Sequence, residues 1–249
     1  MKKSIDNDMS RRTWNLAYLR SRVDFLYGEN QLKLLSPCLE SVVTREYYAR
    51  FHYQEGRDLV YEFLSTRGDV KELVGLVFGG VEEDQVEFNR RCRFAEAHVV
   101  ACLQNIHSAY DIMGHVVYFS LGMNNIPDQK IPEHKIGIKS VYNKIRNIDI
   151  YSNIVNEIDK YINNDNYKYL SAIVNNSKHR SIINICFTVD IGDDEKDLYK
   201  FNFNEFVYNR ENYVPRCAYT FIDEEYNRCS SQIVSIGLKL NDYLCDVGD

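Results

Sequence analysis

Apolar residues recur at helical spacing through most of the chain. Trp14, Ala17, Tyr18, Val23 and Leu26 form a loose stripe that predicts a helix over Arg11–Tyr27. Glu40–Leu64 predicts a second helix or helix pair, and Asp69–Phe78 a short apolar helix stopped by Gly79-Gly80. Glu82–Leu121 reads as one long helix, polar at its start and almost wholly apolar from Phe94 onward. A helix apolar on nearly all sides belongs at the centre of a bundle. Gly122 ends it, and Asn124–His134, with Pro127 and Pro132, reads as a loop. Lys139–Ile145, Asn153–Ile162 and Tyr167–Asn176 are further helices, the middle one with Ile154, Val155, Ile158 and Ile162 on one stripe.

The period then changes. Ile182–Asp190 is rich in β-branched and aromatic residues, Gly192–Asp197 is a charged turn, and Leu198–Tyr208 alternates Tyr199, Phe201 and Phe203 with Lys200, Asn202 and Asn204. That is the period of a strand, so a hairpin is expected over 182–214. After Pro215, Asp223–Leu244 returns to helix through Ile233, Ile236, Leu240 and Leu244. The fold class expected is mainly α: a helical bundle with one inserted β-hairpin near the C-terminal end. One domain over 1–249 is expected, with N-terminal helices in 1–80, core helices in 81–181, the hairpin in 182–214 and a C-terminal helix in 215–249. Four prolines leave the blocks 38–126 and 133–214 free of them, which permits long helices.

Composition narrows the function classes. A net charge of −6 excludes a strongly basic footprint over the whole chain, leaving room only for a local basic patch. No stretch reaches the roughly 18 uncharged apolar residues of a membrane span, and Met1–Arg12 is too polar to read as a signal peptide. Seven cysteines include no Cys-x-x-Cys pair, which removes zinc ribbons and thioredoxin-like motifs and points to a reducing cytoplasm. Cys102 and Cys186 lie in apolar runs and read as buried thiols. Gly-rich phosphate loops and nucleophile elbows are absent from the sequence. The acidic runs Glu82-Glu83-Asp84, Asp193-Asp194-Glu195 and Asp223-Glu224-Glu225 fall at expected helix starts and turns, where capping and solvated charge account for them.

Two groups of polar residues stand out. On the long helix His107, Asp111 and His115 share a face at i, i+4 and i+8, and Glu96 joins it three turns earlier. Ionisable groups on an apolar helix need partners, so these four are expected to form a buried polar network. Lys178-His179-Arg180 ends a helix beside an apolar strand, and Lys178 or Arg180 is the expected partner of Asp111. Those three cations also oppose the helix dipole favourably without any ligand. His107 and His115 lie about 12 Å apart along the axis and cannot share one ion. Neither Glu-x-x-His nor His-Glu-x-x-His occurs, so no metal and no cofactor are expected.

Two segments carry a family resemblance: Ala97-His98 through Ser108-Ala109-Tyr110-Asp111-Ile112, and Val174-Asn175-Asn176-Ser177-Lys178-His179-Arg180-Ser181-Ile182. Together they are similar to uncharacterised bacterial helical proteins akin to the HEPN superfamily, over the middle and C-terminal parts of the chain. The resemblance implies a helical bundle, often a homodimer. It further implies either a metal-independent endoribonuclease of a toxin or phage-defence system or a non-catalytic interaction module. The partners it implies are RNA, or a protein partner such as an antitoxin.

The HEPN catalytic pattern is Arg, four to six residues, then His. Arg93-x4-His98, Arg91-x6-His98 and Arg45-x6-His52 all match it. Arg93 and His98 stand about 140° apart on a continuous helix, and neither Gly nor Pro between 81 and 113 supplies a kink. RNA cleavage by 2′-OH attack needs an acid or base and a cation for the phosphorane. His98 with Arg93, or His179 with Arg180, Lys178 and Asn176, are the candidates for those roles. The competing reading makes Asp111 and the Lys-His-Arg step a structural network in a module that dimerises or binds a protein.

Overall fold

The computed structural model describes residues 13–67, 70–189 and 199–247, which carry eight α-helices and five short strands. Met1–Arg12, Asp69 and the charged turn expected at Gly192–Asp197 lie outside the described residues.

Helix α1 (Leu16–Tyr27) starts at Asn15, whose side-chain oxygen accepts from Tyr18 N at 2.9 Å, satisfying one of the free N–H groups of the first turn. Gly28, at φ 83°, takes a backbone conformation open to glycine and turns the chain into α2 (Glu29–Leu64). The start expected at Glu40 was late, because α2 runs through Pro37. Pro37 removes the N–H that would meet the Lys33 carbonyl, but both residues are exposed, so water can take that acceptor. The flanking Leu35 and Leu39 are fully buried. Their packing outweighs the roughly 3 kcal/mol that proline costs in a helix interior.

Helix α3 (Val70–Phe78) leads to α4 (Glu82–Ser120), the long helix expected from the sequence. At 1.5 Å per residue α2 and α4 are each more than about 50 Å long, and they pack antiparallel. Leu103, Ile106, Ala109, Tyr110, Met113, Val116 and Val117 of α4 are almost wholly buried. Gly122, in the left-handed region at φ 62°, closes the helix. Three single-turn 3₁₀ segments lead into α5 (Ile138–Ile145), and a fourth precedes α6 (Ser152–Ile162) and α7 (Asp165–His179). The loop expected at Asn124–His134 is thus partly ordered into short turns.

The β region is richer than one hairpin. Strand β1 (Ile185–Val189) pairs antiparallel with β2 (Tyr199–Phe203) in the register Ile185↔Phe203, Phe187↔Phe201 and Val189↔Tyr199. Strand β5 (Arg216–Cys217) adds to the other edge of β2. Phe201 and Phe203 point into the core, as their alternation predicts. Between them β3 (Phe206–Tyr208) and β4 (Glu211–Tyr213) form a separate hairpin. Its two turn residues, Asn209 and Arg210, both have positive φ, the geometry of a type I′ turn. Arg at the second position is an unusual choice there, which is why the sequence did not reveal the turn.

Helix α8 (Ala218–Asp246) begins five residues before the expected Asp223. It lies across α1, α2, α4 and α6 through Phe221, Ile222, Cys229, Ile236, Leu240 and Leu244. No helix among the described residues is long and apolar enough to cross a membrane.

Candidate active site between α2 and α4

The polar contacts between α2 and α4 form a ladder. Gln31 Nε2 donates to Phe119 O at 2.6 Å, Arg45 Nη1 to Asn105 Oδ1 at 2.8 Å, and Arg91 Nη1 to Leu59 O at 2.9 Å. Between the last two rungs, His52 Nδ1 meets His98 Nδ1 at 3.0 Å. In every rung the two residue numbers add to 150, so a single antiparallel register places them all. Seven residues are nearly two helical turns, hence 45, 52 and 59 on one helix stay opposite 105, 98 and 91 on the other.

The histidine rung is the one that brings two titratable groups together. Both rings are half-buried. Phe51 lies at their side with ring centroids 5.2 Å from His52 and 6.4 Å from His98. Gly56 lets the helices close up here, since a Cβ at that position would stand 3.0 Å from His98 Cβ. Burial, and then the neighbouring His98, hold the His52 imidazole below its usual range, with Glu55 pulling the other way. One turn before each histidine is an exposed aromatic, Tyr48 and Phe94. An open aromatic surface therefore surrounds the pair.

Of the matches to the Arg–His pattern, the two with six intervening residues fall on one helix face. Arg91 is held at two points, with Nε on Glu87 Oε1 at 2.7 Å and Nη1 on Leu59 O. Arg45 is half-buried and spends one N–H on Asn105, which leaves four donors. Arg93 does not join His98. It is exposed and points to the side of α4 that faces β1. The straight helix keeps the two apart, as the 140° separation requires.

The segment around residue 180 is built differently from expectation. Lys178, His179 and Arg180 are all exposed. Arg180 lies over the Tyr208 ring at 5.3 Å. Asn176 is buried as a helix stop: its Nδ2 donates to Ser181 O at 2.8 Å and its carbonyl accepts from Arg180 N and Ser181 N. These four residues do not converge on a cleft with His98.

The expected pairing of Asp111 with this segment is also corrected. Asp111 is exposed, and its Oδ2 lies 3.5 Å from His107 Nδ1. Its Oδ1 lies 3.6 Å from where a Cβ would sit on Gly137, at the N-terminus of α5, where the helix dipole favours an acid. No burial penalty arises, so no cation is needed. His107 is buried and its Nδ1 has no hydrogen bond. Burial holds that imidazole low, Asp111 opposes the shift, and Lys178 and Lys139 add to it. Burial likewise depresses His115, against Asp111 and Glu133. Glu96 serves another neighbour altogether, accepting from Ile185 N at 3.3 Å. Asp111 thus acts on both His107 and His115, while Glu96 stands apart from the three.

The buried charge pair of this bundle is elsewhere. Glu225, expected to be solvated, is fully buried on α8, and Arg228 Nε meets its Oε2 at 2.8 Å. The Arg228 guanidinium lies 4.6 Å from the Tyr161 ring centre, within a cluster of Tyr110, Tyr161 and Tyr167. Glu46 is mostly buried and accepts from Cys229 Sγ and Ser230 Oγ; burial raises its carboxyl. Cys102 is buried as expected, whereas Cys186 is exposed because its side of β1 faces away from the helices. Among the described residues no three of His, Cys, Asp and Glu converge on a point that could hold a metal.

The chain matches no protein-family model, no curated protein and no solved structure.

Proposed function

We propose that the chain is a metal-independent endoribonuclease in which His52 and His98 form the acid–base pair, and that it acts in a toxin or phage-defence setting. The observation that carries the reading is the 3.0 Å contact between the two Nδ1 atoms. A hydrogen bond between them requires one ring to donate and the other to accept. In the uncharged pair the donor ring therefore keeps a bare Nε2, a base, and the acceptor ring carries Nε2–H, an acid.

RNA cleavage uses both. The bare Nε2 takes the proton of a 2′-OH as that oxygen attacks the adjacent phosphorus. The other ring's Nε2–H passes its proton to the departing 5′-oxygen as the P–O5′ bond breaks. The shared Nδ1 proton then crosses between the rings, so the pair ends neutral with the roles exchanged. The products are a 2′,3′-cyclic phosphate and a 5′-hydroxyl. Arg45, two turns before His52 on the same face of α2, is the cation for a neighbouring phosphate, and Phe51, Tyr48 and Phe94 offer rings on which bases stack.

A second reading rests on a different observation. The histidine contact is one rung of a ladder whose other rungs are structural, and exposed aromatics flank it. Those features suit a helical module that uses this face to dimerise or to bind a protein partner.

Expression in a bacterial host separates the two. Growth arrest by the wild-type chain, relieved by His52→Ala and by His98→Ala at matched soluble yield, supports the nuclease. Unimpaired growth with soluble wild-type protein counts against it.

A further inference from the structure

A cavity of about 620 Å³ lies between α3, α4, the three-stranded sheet and the start of α8, within the range of small-molecule sites. It is on the side of α4 away from the histidine pair: Glu96 and His98 stand about 160° apart around the helix. Its floor is aromatic. Phe88 is buried and meets Phe187 edge-on at 4.9 Å, and Phe201 packs beside Phe187 at 5.2 Å.

The rim is polar in a particular way. Arg93 and Glu96 are three residues apart on α4, close enough to pair, yet they form no ion pair with each other. Arg93 has no acidic partner among the described residues. Glu96 is half-buried and, among the described residues, accepts only the Ile185 backbone N–H. A carboxylate has about four acceptor positions, so Glu96, which lines the cavity, keeps acceptor capacity beyond that one bond. Asn89, one turn before Arg93, adds an amide to the same rim. An exposed arginine and a half-buried carboxylate, both unpaired at one mouth, call for a ligand with a donor-rich edge and an anionic group. The aromatic floor calls for a planar ring.

We propose that this cavity binds a guanine nucleotide, with the base on the Phe88–Phe187 floor, its N1–H and N2–H₂ edge on Glu96 and its phosphate on Arg93. Guanine is selected over adenine because a carboxylate only accepts. Guanine offers it two adjacent donors, whereas adenine's corresponding edge places a ring acceptor beside the amine, which the carboxylate repels. The site stands independently of the ribonuclease reading.

Calorimetric titration of the full chain with GMP, AMP and guanosine tests it. Saturable GMP binding at least about tenfold tighter than AMP is expected. Glu96→Gln should erase the preference for GMP over AMP. Arg93→Ala should bring GMP down to the affinity of guanosine and leave guanosine unchanged. Both substitutions keep side-chain bulk off the core, and GMP-induced shifts of the Phe88 and Phe187 ring resonances give a readout that needs no variant. The absence of saturable GMP binding by the wild-type chain, ring resonances unmoved by GMP, or a GMP preference that survives Glu96→Gln would overturn the assignment.

Discussion

His52 Nδ1 and His98 Nδ1 lie 3.0 Å apart across the α2–α4 seam, so at most one of the two nitrogens carries a hydrogen. Protonating both rings would place two N–H groups head to head and break the contact. Cleavage activity is therefore expected to fall on the acid side as the pair takes up protons. The His52 imidazole, held low by burial and by His98, delays that loss below the ordinary value of 6.5. Removal of either ring as His52→Ala or His98→Ala should cost about 10²–10⁴-fold in cleavage rate. A pH–rate profile with single-turnover kinetics checks both statements.

Gly114 marks the closest approach of α4 to the turn before α5. An added Cβ would overlap the backbone at Gly137 and Ile138, including Ile138 N. In an open helix interior Gly→Ala stabilises by roughly 0.5–1 kcal/mol. Here the neighbour is main chain and cannot swing aside, so Gly114→Ala should destabilise by about 1–3 kcal/mol or more. Gly237→Ala meets the Trp14 ring instead, a side chain near the first described residues, and should cost less. Urea midpoints of the two variants give the order.

The buried Glu225–Arg228 pair gives a second stability test. Arg228→Met leaves a fully buried carboxylate without its partner and should destabilise by about 3–5 kcal/mol near neutral pH. The double variant Glu225→Gln with Arg228→Met removes the stranded charge and should recover a large part of that loss. A double-mutant cycle by chemical denaturation measures the coupling.

Stability should fall on mild acidification. His52, His107 and His115 all have depressed values in the folded chain, chiefly through burial. Such a histidine stays neutral when folded while the unfolded chain binds a proton, so its contribution is full above the ordinary value of 6.5 and declines as pH drops below it. The raised carboxyls of Glu46 and Glu225 act in the opposite sense, contributing below the ordinary 4.5 and losing that contribution as pH rises through their folded values. The expected result is a thermal midpoint that drops below pH 6.5, with a shallower slope in His107→Asn. An unchanged slope in that variant would count against a neutral buried His107.

Much of the helical frame is legible in the sequence, because the 3.6-residue period of α4, α6 and α8 is a local property. Elements set by tertiary packing are less visible. Pro37 sits inside α2 because Leu35 and Leu39 are buried on either side of it, and no local rule anticipates that. The contact between the two histidines is only partly legible in the sequence. His98 and the Arg45-x6-His52 match were both in view, but their meeting depends on a register between residues 46 apart. The seven-residue spacing shared by Arg45/His52 and Arg91/His98 was the available clue, since it keeps each pair on one face of its helix. Asp111 misled because an apolar neighbourhood in sequence does not make a position buried, and the N-terminus of α5 supplies what it needs. Glu225 misled in the other direction: its acidic neighbours suggested a solvated cluster, while position 225 falls on the apolar stripe of α8.

Joint cleavage of RNA by the two histidines, without a metal, is open to a direct test. The direct measurement is incubation of a single-stranded RNA oligonucleotide with the purified chain in excess chelator, followed by analysis of the product ends. 2′,3′-Cyclic phosphate and 5′-hydroxyl termini are expected from the wild-type chain, and their loss in both His52→Ala and His98→Ala proteins that unfold at the wild-type midpoint. Intact RNA with folded wild-type protein, or the same products from both variants, would contradict it.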